Sequence, residues 1–248
     1  MILAPLVRGE IRKITTTKLP WVFIAVLVLV AALNAAIVAF ATQPDGSKSF
    51  VATAADQQSL VAFAFNALMG TSLFGAICVA REYGHDTVVP MYLTSPNRTR
   101  AVLAQQIALM VSGAVLALIG QALIIIGVAL ALPGTDYGLL LSAGDITQLL
   151  ASATFAGMIG AVLGAGLAGI IRNVGGAVTA ALLVVFLLPP LVAQLFSGAG
   201  PWIPATLFSV IAGVGANVSL WAALLAITAW ALVPAAAGLI TVQRRDVV

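Results

Sequence analysis

Charge is what this sequence has least of. Only 8% of its 248 residues are Asp, Glu, Lys or Arg, against about 25% in an ordinary soluble domain. So little charge cannot cover the surface of a soluble globule. With 62% of residues apolar, disorder is excluded as well. The single cysteine, Cys78, leaves no intramolecular disulfide, and His85 is the single histidine, so no metal centre is expected. The three lysines, Lys13, Lys18 and Lys48, lie outside any Gly-Lys-Ser/Thr context, so the chain has no phosphate cradle for ATP. No nucleophile elbow is visible, and no span carries paired catalytic residues. An enzyme is therefore not expected, and this chain should need no cofactor of its own.

What remains is apolar sequence in runs of membrane length, about 20 residues each. Six are expected, at about 20–41, 59–80, 101–132, 146–171, 174–196 and 219–242, within one transmembrane domain covering 1–248. The runs do not alternate as barrel strands would, so the fold class is an all-α membrane protein. Ten of the eleven basic residues flank one side, and only Lys48 lies on the other. The positive-inside rule then places both termini in the cytoplasm. The basic excess is a topology signal, and no nucleic acid is expected as a partner. Residues 39–41 resemble a signal-peptidase site, but the apolar stretch before them is longer than a signal h-region, so the first span is retained.

Leu3, Val7, Ile11 and Ile14 recur at helical spacing, with Arg8, Arg12 and Lys13 on other faces. This predicts an amphipathic interfacial helix at the N-terminus. Trp21 and Trp221 suit the two membrane interfaces. The fourth span is expected to open on Asp145 as N-cap with Gln148 as its capping-box partner. It carries two small-residue ladders, Gly160-Gly164-Ala168 and Ala161-Ala165-Gly169, which suit packing within one subunit or dimerisation. In the fifth, Pro189-Pro190 should kink or end the helix. Residues 197–216, with Trp202 and Pro204, are too short to span and read as a re-entrant or interfacial hairpin on the external side. Phe63, Asn66 and Gln121 are candidates for a substrate pathway that would suit an amphiphilic, hydrophobic cargo, although in-span amides also serve as helix–helix glue.

The loop between the second and third spans holds the densest information: Arg81-Glu82, His85-Asp86-Thr87, the apolar run Val88 to Leu93 with Pro90 and Tyr92, then Ser95-Pro96 and Arg98. A short helix over 86–93 is expected, and Ser95-Pro96 should start the third span. Its apolar cluster fits a protein partner, or packing on the membrane or on the chain's own helices. These positions resemble the signature of permease subunits of ABC-2-type exporters: Arg-Glu, a Thr, an apolar run, a Ser/Thr-Pro step and an Arg. Gly169-Ile-Ile-Arg-Asn-Val-Gly-Gly-Ala177, Pro189-Pro190 and Gly200-Pro-Trp-Ile-Pro204 are similar to the small drug- and antibiotic-export permeases of actinobacteria. The sequence departs from the pattern at Asp86, often glycine, and at Gln105 or Gln106, near the usual lysine.

The resemblance implies a permease that pairs with a second copy or a paralogue and with two separate ATP-binding subunits, which bind the ATP and magnesium. It implies that 86–93 is a coupling helix and that Arg81, Glu82, His85, Asp86, Thr87, Pro90, Tyr92, Leu93, Pro96 and Arg98 form the ATPase-coupling loop. Pro189, Pro190, Trp202 and Pro204 would belong to the external gate. The implied function is ATP-driven export of a drug, antibiotic or lipid-like molecule, with multidrug or antibiotic resistance as its outcome. From another class, a non-transporting membrane anchor or immunity protein fits the same composition.

Overall fold

The computed structural model describes residues 3–40, 50–84, 97–135 and 137–244. Among the described residues 85% are helical and none is in a strand, which satisfies the backbone within each segment, as lipid demands. Six helices are long and apolar enough to cross a membrane. In chain order the elements are α1 (Leu3–Thr16), α2 (Leu19–Ala39), α3 (Ala54–Ala64), α4 (Ala67–Gly84), α5 (Arg98–Ala131), α6 (Ala143–Ile171), α7 (Val174–Leu182), α8 (Leu188–Leu195), α9 (Pro204–Ile211) and α10 (Leu220–Arg244). The α3–α4 pair makes one crossing, and α7 with α8 makes another.

The apolar stripe of α1 faces protein. Ile14 is buried, and Val7 and Ile11 pack on the core, mostly through α5. α2 buries only Leu27, Ala31 and Val38, and leaves Trp21, Val26, Leu29 and Leu33 exposed. In a membrane that outer face is lipid-facing. At 34 residues, α5 is about 51 Å long at 1.5 Å per residue, which exceeds the roughly 30 Å hydrocarbon core. It starts at Arg98, with the Asn97 side chain capping the Arg100 amide.

α6 is the hub, packing against α4, α5, α7 and α10. Its small residues put backbone against backbone. A Cβ added at Gly164 would fall 1.8 Å from the Ser72 carbonyl oxygen of α4, and one at Gly160 would fall 2.3 Å from that of Leu68. Gly157 opposes Gly113 of α5, and Gly166 opposes Pro234–Ala235 of α10. Both ladders are thus buried inside one chain, where dispersion contacts replace the hydrophobic driving force that lipid removes.

Two local expectations are corrected, and the choice left open at the tandem prolines is decided. The second crossing is not one helix over 59–80. It begins at Ala54 and breaks at Phe65–Asn66. The N-cap of α6 is Ser142, and Asp145 is its reciprocal capping-box partner at N3, so the helix starts three residues earlier than expected. Gln148 instead donates to the Ile211 carbonyl, 3.4 Å away. The tandem prolines do not end the fifth crossing. A π-turn over Leu183–Leu187 precedes α8, in which Pro189 sits in the first turn. Proline has no N–H to give and its ring clashes with the carbonyl four residues back. The wider i→i+5 loop removes that clash.

Gly164→Leu is expected to destabilise the fold by about 3 kcal/mol through overpacking. Gly9→Ala, whose added Cβ meets nothing within 4 Å, is the matched control. Thermal unfolding in detergent measures both, and the control should stay at or slightly above the parent.

Candidate functional site

The last turn of α4 carries Arg81 and Glu82 side by side. Glu82 sits low in the junction of three helices. Its Oε1 meets Lys13 Nζ of α1 at 2.5 Å, and its Oε2 accepts from Gln105 Nε2 of α5 at 2.8 Å. Lys13 also reaches Glu10 at 2.7 Å. Burial alone would lower the pKa of the Lys13 ammonium. The facing Glu82 and Glu10 carboxylates outweigh it and hold the value above the ordinary lysine range. One carboxylate therefore ties α1, α4 and α5 together, with a partner on each oxygen, as a largely buried charge requires.

The same end is fastened a second time. Arg172 caps α6 in a left-handed conformation (φ 61°). Its guanidinium lies 5.3 Å from the Tyr83 ring centroid of α4 and donates to the Thr241 carbonyl of α10 at 3.3 Å. Gln243 of α10 donates to Thr99 of α5 at 3.0 Å. Of the expected coupling-loop residues, Arg81, Glu82 and Arg98 lie on these helices. His85, Asp86, Thr87, Pro90, Tyr92, Leu93 and Pro96 lie outside the described residues.

No family model matches the chain, and no curated protein sequence matches it.

A second cluster surrounds the break between α3 and α4. Ending a helix inside the bundle strands carbonyls at its C-terminus and amides at the next N-terminus. Three side-chain amides serve them. Gln121 of α5 donates to the Val61 carbonyl at 3.0 Å. Asn34 of α2 donates to the Ala64 carbonyl at 3.4 Å. Asn66 accepts from the Met69 amide at 3.0 Å, the geometry of an N-cap. Gln121 is fully buried, and its Oε1 has no partner. Of the three expected pathway residues, Phe63 and Asn66 are brought together, both exposed, and Gln121 is not with them.

Phe63 and Asn66 line a cavity of about 50 Å³ whose other walls are Val185 of the π-turn and Pro204 and Phe208 of α9. Three irregularities, a broken helix, a π-turn and the start of a short helix, thus meet at one place. Discontinuous helices and π-turns recur at functional sites because they free backbone groups and bend the chain there. Pro189 is buried beside this turn, and Pro190 is exposed.

The segment after α8 turns through Gly200–Trp202. The Trp202 carbonyl accepts from Trp230 Nε1 at 3.1 Å. Trp230 lies ten residues into α10, or about 15 Å along its axis. α9 then returns, and two glutamines hold its C-terminal carbonyls: Gln148 at Ile211 and Gln58 at Ala212, the latter at 3.1 Å. Gly213 follows with φ +79°, and a Cβ there would lie 2.5 Å from Gln148. Gln57, fully buried, donates to the Val51 and Gly138 carbonyls and accepts from the Leu140 amide.

Sequence reasoning missed Lys13 and Gln105 as partners of Glu82, Arg172 as a clamp, and Gln57, Gln58 and Gln148 as tethers. The available signal was amide placement. Gln57 and Gln58 lie in the first half of α3 and Gln148 in the second turn of α6, within reach of irregular backbone whose groups need partners.

Gln121→Leu should cost about 1–3 kcal/mol, because it keeps the volume and strands the buried Val61 carbonyl. Phe63→Ala, at a side chain 54% exposed, should change stability by less than about 0.5 kcal/mol. Chemical unfolding of both variants in one detergent gives the comparison, and near-equal midpoints would refute the assigned role of Gln121.

Proposed function

We propose that this chain is the membrane-spanning permease subunit of an ABC-2-type exporter, driven by a separate ATP-binding subunit. The observation that carries the proposal is the position of Glu82. It joins α1, α4 and α5 directly beside the 85–96 segment. A force applied to that segment would therefore reach three helices at once. The resembled pattern places a lysine in the next helix. Here Gln105 stands in that helix, and α1 supplies the cation through Lys13.

In this reading the basic end is cytoplasmic, by the positive-inside rule, and the membrane is a bacterial inner membrane. Trp21 and Trp221, 68% and 76% exposed near opposite ends of the bundle, act as interfacial anchors. The Gly200–Ile211 segment is a re-entrant external hairpin, supported by the depth of Trp202 along α10. Pro189, Pro190, Trp202 and Pro204 belong to the external gate, with Gln58 and Gln148 as its fastenings. Phe63 and Asn66 lie beneath that gate, on the path of an amphiphilic cargo such as a drug, antibiotic or lipid-like molecule. ATP and magnesium belong to the partner, since this chain offers no phosphate cradle. A complete transporter pairs two ATP-binding subunits with two permeases, this chain with a second copy or a paralogue.

Export follows from closure of the partner. The two ATP-binding subunits approach each other, push on the 86–93 segment, and the α1–α4–α5 junction rotates the cytoplasmic ends. The clamp at Arg172 passes the motion to α6 and α10. The external fastenings then open.

Replacing Tyr92 and Leu93 together by Asp is expected to abolish transport-coupled ATP hydrolysis and leave membrane insertion intact. The measurement is cargo-stimulated ATPase activity of the reconstituted complex, and stimulation equal to the parent's would remove the loop from the mechanism.

A further inference from the structure

A cavity of about 210 Å³ opens beneath the end of α1. Its walls are Ile14, Thr17, Leu19 and Cys78, and Lys13, Arg81 and Glu82 stand at its mouth. The interior is almost wholly apolar, so water has few partners there. The mouth is basic. Lys13 and Arg81 line it, Lys18 lies between the lining residues Thr17 and Leu19, and the only carboxylates on these elements are Glu10 and Glu82. Both carboxylates are engaged by Lys13. Arg81 and Lys18 are exposed and form no ion pair among the described residues.

The geometry points to a binding site for one anionic phospholipid of the leaflet on the basic side, with part of an acyl chain in the cavity and the headgroup phosphate between Arg81 and Lys18. An apolar cavity alone would take any lipid. Charge complementarity at its mouth selects the anionic one, as basic pockets between helices do at this interface. The lipid would brace α1 against α2 and α4, where α1 and α2 otherwise touch little. The site does not depend on the transport reading, because no ATPase enters its construction.

The test is lipid retention by the purified full chain. Native mass spectrometry is run from mixed micelles holding phosphatidylglycerol and phosphatidylcholine in equal amounts. The parent should retain phosphatidylglycerol over phosphatidylcholine by on the order of tenfold or more, given two cations at the phosphate. Arg81→Gln combined with Lys18→Gln should lose the preference. Thr17→Phe keeps every cation but fills the cavity, and it should lose the bound phosphatidylglycerol, which keeps the test alive if the double variant fails to fold. Arg8→Gln, away from the cavity, should behave as the parent.

Equal retention of both lipids overturns the site. So does an Arg8→Gln loss as large as that of the double variant, which would mean a diffuse basic surface. Displacement of the lipid by inorganic phosphate would mean a headgroup site without the cavity and overturns it too. Retention of neither lipid, the result expected if a protein covers this face, overturns it as well.

Discussion

The structure depends on one constraint: inside an apolar medium every backbone N–H and C=O must find a partner within the protein. Most do so by being helical. Where the helices stop, side chains are spent on the difference. Gln121, Asn34 and Asn66 close the break between α3 and α4, and Gln58 and Gln148 close the end of α9. The π-turn before Pro189-Pro190 answers the same need by lengthening a loop. Irregular backbone within a span is costly and is held only where the surroundings fix it. That irregular backbone converges on one cavity, with Phe63 and Asn66 in its wall.

A second constraint follows from the first. Without a hydrophobic drive between helices, association rests on close approach. α6 meets this with Gly157, Gly160, Gly164 and Gly166, which let it touch α4, α5 and α10 at backbone distance. Cores packed this tightly shift between discrete arrangements and do not deform continuously. Polar ties at each end, Glu82 and Arg172 on one and the glutamines on the other, then decide which arrangement is held. Surface ion pairs are weak, but Glu82 is nearly enclosed and joins three helices, so its loss would leave Lys13 with Glu10 on its own helix and cut the tie from α1 to α4 and α5.

Much of this was legible in the sequence. Uncharged runs of membrane length define the crossings because lipid tolerates little else, and the lopsided cations mark one face. The stripe Val7, Ile11 and Ile14 predicted α1, though what covers it is largely α5. The break at Phe65–Asn66 was hidden because Asn66 inside an apolar run reads as a polar residue in a span. Its N-cap contact to the Met69 amide is local, but the carbonyls on the other side of the break are served by Asn34 of α2 and Gln121 of α5, which local pattern cannot supply. The start of α6 is written in the sequence as Ser142 and Asp145, the two ends of a capping box, but Asp145 alone also suits a cap. Phe63 and Asn66 share the wall of one cavity. Gln121 serves the backbone, the alternative use of an in-span amide. The partners of Glu82 were illegible because α1 and α5 reach it only through the tertiary fold.

Among the described residues, Lys13, Glu82 and Arg172 knit the basic end of the bundle. The account claims that the energy comes from another chain. Affinity purification of the full-length protein from its native membrane in mild detergent, followed by quantitative mass spectrometry of what is retained, tests this directly. The account predicts an ATP-binding subunit at equal copy number with this chain. Purification with no ATP-binding subunit, from membranes in which one is expressed, would contradict it and favour a membrane anchor or immunity protein.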